Sequence, residues 1–235
     1  MPHSNLLLGS LSSGDAEALR PHLRLVALEQ QKILHEAGDA VTSVYFPMSA
    51  IVSLVASLST GETIEAAMVG RDGVVGAASA LDGKISLSRA IVRLAGNALV
   101  CEGSALKVAA MQSRSLLSIL IRHEQTVYAQ AQQSTACMAA HDVQERLSRW
   151  LLRARDLAQS DTLQFTQEFL AEMLGVRRTS VTATAHRLQE AGIIKYSRGR
   201  IQILDVEALT ESACECYATI NAHYRALLGG QQNKP

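Results

Sequence analysis

Between Phe165 and Ile194 the chain reads FTQEFLAEMLGVRRTSVTATAHRLQEAGII, a stretch that admits few folds. Thr166 is an N-cap residue whose hydroxyl can accept from a free N–H of the first helical turn. Phe169, Leu170, Met173 and Leu174 then repeat at helical spacing and make one face apolar. Gly175 stands where the helix has to end in a left-handed residue, a conformation glycine takes without steric cost. A second helix follows, with Val181, Ala185 and Leu188 inward and Arg178, Thr179, Thr182 and His186 outward. Gly192 closes it in the same C′ role. Ala171 is small where the two helices must cross. Thr184 is the discordant position, a polar side chain on the inner face. The stretch predicts two helices joined by a tight turn.

A second pattern follows directly. Ile193-Ile194 leads into Lys195-Tyr196-Ser197, an Arg198-Gly199 turn, and Arg200-Ile201-Gln202-Ile203-Leu204, which reads as a β-hairpin with basic arms. A helix-turn-helix followed by such a hairpin is a winged helix. From Arg177 to Arg200 there are six basic residues against one acid, Glu190, in a chain whose formal net charge is zero. Attraction to phosphate is therefore local, on the two elements that would face a duplex. Arg177, Arg178, Thr179, Ser180 and Thr182 are the residues placed to reach a major groove. Thr166 and Gln167 can hold a phosphate at a helix N-terminus. Lys195, Arg198 and Arg200 can hold flanking phosphates. The plainer reading of the same stretch is a helical hairpin with a solvated basic face.

The remainder of the 235 residues divides into a β-rich front and a helical middle. Residues 13–30 read as a helical lead-in on Leu19, Leu23 and Leu25. Short β-rich runs follow at 32–34, 44–46, 51–58, 63–69, 74–76, 90–94 and 98–101, with breaks such as Glu36-Ala37-Gly38-Asp39 and Gly70-Arg71-Asp72-Gly73. Runs this short with turns this frequent predict a β-sandwich or small barrel. No apolar run is long enough to span a bilayer, and the first fifteen residues lack the plan of a signal peptide. Four scattered cysteines suggest no disulfide framework, so a reducing cytoplasm is the expected setting. No nucleophile elbow, phosphate loop, HExxH or catalytic carboxylate pair is present, and no enzyme activity is expected.

Residues 104–139 read as one helix, with Leu117, Leu120, Glu124, Val127, Ala131, Ser134 and Met138 spaced alternately by three and four. That spacing permits a two-helix seam and a homodimer; a helix packed on its own β-domain would show the same spacing. His141-Asp142 marks the hinge into a second domain, begun by Val143, Leu147, Trp150, Leu151 and Leu157. A last helix is expected over 205–228, and the tail 229–235 is expected to be disordered. The division is then 1–112 for the β-domain, 113–140 for the long helix and 141–235 for the reading head, an α+β chain.

In that order of parts the chain resembles the Crp/Fnr family of bacterial transcription regulators. Glu36-Ala37-Gly38-Asp39, Val44-Tyr45-Phe46-Pro47 and Gly70-Arg71-Asp72-Gly73-Val74-Val75-Gly76 are similar to turns of the family's cyclic-nucleotide-binding β-roll. Val143–Leu152 and Thr166–Ile194 resemble its reading head. The resemblance implies a homodimer on near-palindromic double-stranded DNA, with RNA polymerase as a further partner if the protein activates. Arg178 falls at the family's base-reading arginine. Thr179 stands where a glutamate is common and Ala183 where a second arginine is common, so a different operator is implied. The effector pocket also departs from the pattern. Gly76 is followed by Ala77-Ala78, with no carboxylate for a ribose, and Arg89, after Ser88, lies one residue out of register with the phosphate arginine. Gly76, Ala77, Ser88 and Arg89 are thus pocket candidates for an effector that is unknown and not expected to be cyclic AMP. An iron–sulfur sensor would need cysteines near the N-terminus, and none precedes Cys101; for a haem, His35 is the available histidine. Cys214-Glu215-Cys216 is poorly spaced for zinc without two further ligands, and no metal or cofactor is assigned. The competing reading is a small-molecule-binding β-roll protein whose helix-turn-helix is vestigial or contacts protein; salt-dependent DNA binding distinguishes the two.

Overall fold

Two antiparallel sheets, one long helix and a three-stranded head follow one another along the chain. The computed structural model describes residues 5–82 and 85–228, and for Asp82 the backbone alone. The expected disordered tail, 229–235, lies outside the described residues, as does the start of the N-terminal stretch read for a signal peptide. Short helices α1 (Leu6–Gly9) and α2 (Ser13–Leu19) lead into β1 (Arg24–Leu28), β2 (Ile33–His35), β3 (Ser43–Pro47), β4 (Ile51–Ser57) and β5 (Thr63–Val69). Then come α3 (Ala77–Asp82), β6 (Arg89–Leu94) and β7 (Gly96–Glu102). One sheet runs β1-β7-β3 and the other β2-β6-β4-β5, all pairs antiparallel. Leu28, Val52, Val69, Ala90, Val92 and Ala98 form a buried cluster from both sheets.

Two expectations for this front half are corrected. The helical lead-in over 13–30 stops at Leu19, and Arg24–Leu28 is a strand whose partner β7 lies about seventy residues away, Arg24 facing Val100 and Leu28 facing Gly96. Leu25, which the pattern puts on an apolar helix face, is 63% exposed on this strand. The run 74–76 makes only a bridge, Tyr45 with Val75, before the chain turns into α3 at Gly76.

The expected helix over 104–139 is two helices, α4 (Gly103–Gln112) and α5 (Arg114–Ala140). Ser113 is extended (φ −128°, ψ 113°) and its Oγ accepts from Leu116 N, so a serine cap breaks the helix without glycine or proline. The inner face of α5 is also turned from the expected one. Leu116, Ile119, Leu120, His123, Thr126, Gln130, Ser134 and Cys137 are buried against this chain's own elements. Leu120 and Ser134, expected at a seam between copies, are thus inside. The reason lies at the other end of the chain: Ile220, Tyr224 and Leu227 join the cluster of Leu116, Ile119 and Leu120. Tyr224 Oη pairs with the Gln130 side chain at 2.9 Å.

The back half continues with α6 (Val143–Ala158), β8 (Thr162–Gln164), α7 (Gln167–Leu174), α8 (Arg178–Glu190), β9 (Ile194–Ser197), β10 (Arg200–Ile203), α9 (Val206–Glu211) and α10 (Cys216–Leu227). The single helix expected over 205–228 is therefore α9 and α10, interrupted at 212–215. Asp142 starts α6 through a capping box with Glu145. Trp150 on α6 is fully buried and meets Phe165 and Phe169 edge-on, centroids 4.8 and 5.6 Å away.

The head is held on the β-roll by buried polar links. Trp150 Nε1 donates to Glu65 Oε1 on β5 (2.8 Å), and Ser53 on β4 donates to the other oxygen of that carboxylate. Arg93 on β6 reaches Glu172 on α7 (3.4 Å) and lies over the Phe169 ring. Arg153 on α6 pairs with Asp72 at 2.7 Å, both side chains under a tenth exposed. Asp72 belongs to the Gly70–Gly73 turn. A Cβ at Gly73 would lie 2.5 Å from His123 Nε2, so glycine lets α5 approach the turn, where Val74 N donates to that same nitrogen.

Candidate nucleic-acid interface

The geometry of the head follows from its caps. Thr166 Oγ1 accepts from Phe169 N, starting α7. The helix ends at Gly175 (φ +61°), with Val176 N donating to the Ala171 carbonyl and Gly175 N to that of Glu172. The end of α8 repeats the motif: Gly192 has φ +73°, Ile193 N donates to Leu188 O and Gly192 N to Gln189 O. Val181, Thr184, Ala185 and Leu188 are the buried positions of α8. Thr184 is accommodated because its hydroxyl accepts from Arg187, which also reaches Gln144 on α6. The discordant inner residue is therefore satisfied, and Arg187 faces the supporting helix.

Arg178, Thr179 and Thr182 stand exposed on the outer side of α8, with Ser180 half-buried. Thr182 Oγ1 lies 2.7 Å from Gln167 Oε1, which joins the two helices at their N-terminal ends. Arg178 is paired with Glu168 at 2.7 Å, both side chains well over half exposed. A bound phosphate or base would compete with that surface pair, and such pairs cost little to exchange. Arg177 departs from the group: it lines the cleft between the turn and β5, beside Glu62, Thr63 and Ile64. His186, Gln189 and Glu190 were not among the expected site residues, yet share the exposed side of α8. His186 pairs with Glu190 at 3.2 Å, and Gln189 Oε1 accepts from Tyr196 N, tying the helix to the hairpin. Their helical spacing from Thr182 is the signal that finds them.

The hairpin is closed by Arg198 (φ +48°) and Gly199 (φ +77°), both left-handed, as in a type I′ turn. Ser197 faces Arg200, and β10 pairs on its other side with β8, a strand absent from the sequence reading. Lys195, Arg198 and Arg200 are exposed, and Thr166 at the start of α7 lies close to the turn: its Cγ2 is 3.6 Å from where a Cβ on Gly199 would sit. The fold thus assembles a polar helix face, a helix N-terminus and a basic hairpin on one side of the head.

The four effector-pocket candidates are less concentrated. Gly76 (φ +88°) leaves room for Val41 and the Ser43 carbonyl, and Ala77 is fully buried at the start of α3. Arg89 is held by Glu36, Nε to Oε2 2.6 Å, which keeps its guanidinium pKa above the ordinary value. Ser88 sits in a local turn with Ser86. The nearby cavity of about 250 Å³ is lined instead by Leu34, His35, Asp39, Val41, Ser43 and Tyr45, among others. Burial lowers the pKa of His35 there.

Residues 145–212 match the Crp-like helix-turn-helix domain. Among solved structures, a putative Crp/Fnr-family transcriptional regulator from Eubacterium rectale is 18% identical, with TM-score 0.67 over 87% of this chain and 96% of its own. FixK2 from Bradyrhizobium japonicum is 17% identical, with TM-score 0.70 over 82% of this chain and 98% of its own. A CRP/FNR-family regulator from Thermus thermophilus is 21% identical, with TM-score 0.66 over 81% of this chain and 98% of its own. No curated protein sequence matches the chain.

Proposed function

Residues 145–212 are a Crp-like helix-turn-helix domain within a chain that has the fold of the Crp/Fnr regulators, and from that premise we propose that the protein is a homodimeric, sequence-specific DNA-binding regulator of transcription. The observation that carries the reading is the common exposure of Arg178, Thr179 and Thr182 on α8 with Lys195, Arg198 and Arg200 on the wing. Helix α8 enters a major groove, where Arg178 leaves Glu168 for a base edge. The wing arms and Thr166–Gln167 hold phosphates. Arg177 sits toward the cleft and contributes to phosphate attraction rather than to base choice.

The dimer forms along α5. The exposed Ile121, Tyr128 and Thr135 alternate by four and three with the half-buried Leu117, Glu124, Ala131 and Met138, a two-helix seam in which the exposed three stand in place of the expected Leu120, Val127 and Ser134. Ile121 and Tyr128 are 49% and 66% exposed in the single chain, large apolar surfaces at the centre of that stripe. Domains at 1–112, 113–140 and 141–235 divide the work into sensing, pairing and reading, in the cytoplasm. The effector is not cyclic AMP, because Ala77 offers no carboxylate where a ribose would need one and Arg89 is occupied by Glu36. RNA polymerase is a partner if the protein activates.

The test compares Arg178→Ala with Arg198→Ala on a panel of duplexes. Losing Arg178 should cost about 1–3 kcal/mol on the preferred site and relax base choice at one position; losing Arg198 should weaken every duplex alike. Equal effects of both substitutions on every duplex would refute the assignment.

A further inference from the structure

Four metal-ligating side chains converge where α5 ends and α10 begins. They are Cys137 in the last turn of α5, His141 just past it, Cys214 in the α9–α10 connection and Cys216 at the first position of α10. Their ligand atoms, three thiols and an imidazole nitrogen, all lie within 4.8 Å of one another. Cys137 Sγ is 3.6 Å from Cys214 Sγ, and Cys216 Sγ is 3.6 Å from His141 Nδ1. A tetrahedral zinc with Zn–S of about 2.3 Å has sulfurs about 3.8 Å apart. The side chains are therefore near the spacing such an ion requires. The Cys214–Cys216 pair lacked two partners in the sequence; the fold supplies them from 75 and 77 positions away.

The surroundings have the character of a metal site's outer shell. His141 turns Nδ1 to the thiols and places Nε2 at 3.2 Å from the Glu215 carboxylate, the arrangement that fixes the tautomer of a zinc-bound histidine. Gln133 Nε2 donates to Cys216 Sγ at 3.0 Å. Two buried arginines of α6, Arg146 and Arg149, lie beside this cluster, and Arg149 Nε has no hydrogen-bond partner among the described residues. Three thiolates and a neutral imidazole around a divalent ion carry one net negative charge, which those arginines complement.

We propose that Cys137, His141, Cys214 and Cys216 bind one zinc ion in a closed Cys₃His site that fastens the end of the long helix to the last helix of the head. All four positions are filled by protein, so the site is structural rather than catalytic. Soft thiolates with one imidazole favour zinc over the hard cations magnesium and calcium. The ion spans the His141–Asp142 hinge. If the regulator reading holds, loading the site fixes how the head stands on α5.

The experiment uses the full chain, purified reduced and without chelator. Elemental analysis should find about one zinc per chain. Replacement by cobalt(II) should give the intense visible bands of tetrahedral thiolate coordination. C137S and C214S should abolish that spectrum, whereas C101S, at a buried cysteine elsewhere, should keep it. E215Q should lower zinc affinity about 10–100-fold in chelator competition. The cobalt spectrum of the unsubstituted chain needs no variant to fold. Octahedral cobalt, failure of the freshly reduced chain to take up metal, or a Cys137–Cys214 disulfide as the only product would overturn the proposal. No readout involves DNA, so failure here is separable from failure of the regulator reading.

Discussion

Replacing Asp72 by alanine should destabilise this protein far more than its place in a short turn suggests. Its carboxylate meets Arg153 Nη1 at 2.7 Å, with side chains 7% and 5% exposed, and the guanidinium also lies 4.2 Å from the centre of the Tyr224 ring. The alanine variant leaves Arg153 charged, buried and unpaired, which costs about 3–5 kcal/mol. A domain is stable by about 5–15 kcal/mol, so roughly a fifth or more of the total is at stake. Replacing both partners by apolar residues of similar size, Asp72→Leu with Arg153→Met, should cost much less than the two single changes together. Urea denaturation followed by far-ultraviolet circular dichroism and by fluorescence supplies the cycle. Trp150 is the chain's single tryptophan and is buried in the head against Glu65 of the roll, so its emission reports the docking of the two parts. In Asp72→Ala the two probes should separate, because the pair joins a turn of the roll to α6. A loss below about 1 kcal/mol, or strict additivity in the cycle, would refute the claim that this pair is a buried link.

Further predictions concern the polar interface and the seam. Burial pushes the Glu65 carboxyl above its ordinary range, against the opposing pull of Ser53, Arg149, Trp150 and Arg93. The folded chain therefore holds that proton more tightly than the unfolded one. Its contribution is complete below the unfolded value and is lost as pH rises through the folded value. In Glu65→Gln this part of the pH dependence should vanish from urea midpoints measured across the acid-to-neutral range; an unchanged profile would contradict it. Charging the exposed stripe, Ile121→Glu with Tyr128→Glu, should convert a dimer into monomers by light scattering and weaken DNA binding. A variant that stays dimeric would place the interface elsewhere.

The head was legible in sequence because its determinants are local. Thr166, Gly175 and Gly192 act on their own helix ends, and Arg198-Gly199 sets its own turn, so spacing and residue type suffice. The face of α5 was not legible in the same way. Ile220 and Tyr224 decide it from about a hundred positions away, and a small, polar seam shows no difference in hydropathy between neighbouring registers. Strand β1 was hidden because its partner is β7 and its Leu25 faces outward. The Cys₃His cluster was invisible for a related reason, since neither half has the spacing of a site by itself. The candidate pocket residues were found by similarity to a pattern, and the pairing of Arg89 with Glu36 could not be read from it.

In the proposed function this head reads DNA as one half of a two-fold dimer. That role is tested most directly by selecting binding sites from random duplex DNA with the purified full chain at near-physiological salt, with no effector added and again with candidate nucleotides. Such a dimer should select a two-fold-symmetric motif whose half-sites lie about one helical turn apart, with a base preference that Arg178→Ala relaxes. Recovery of no motif under any of these conditions, with binding insensitive to salt, would contradict it.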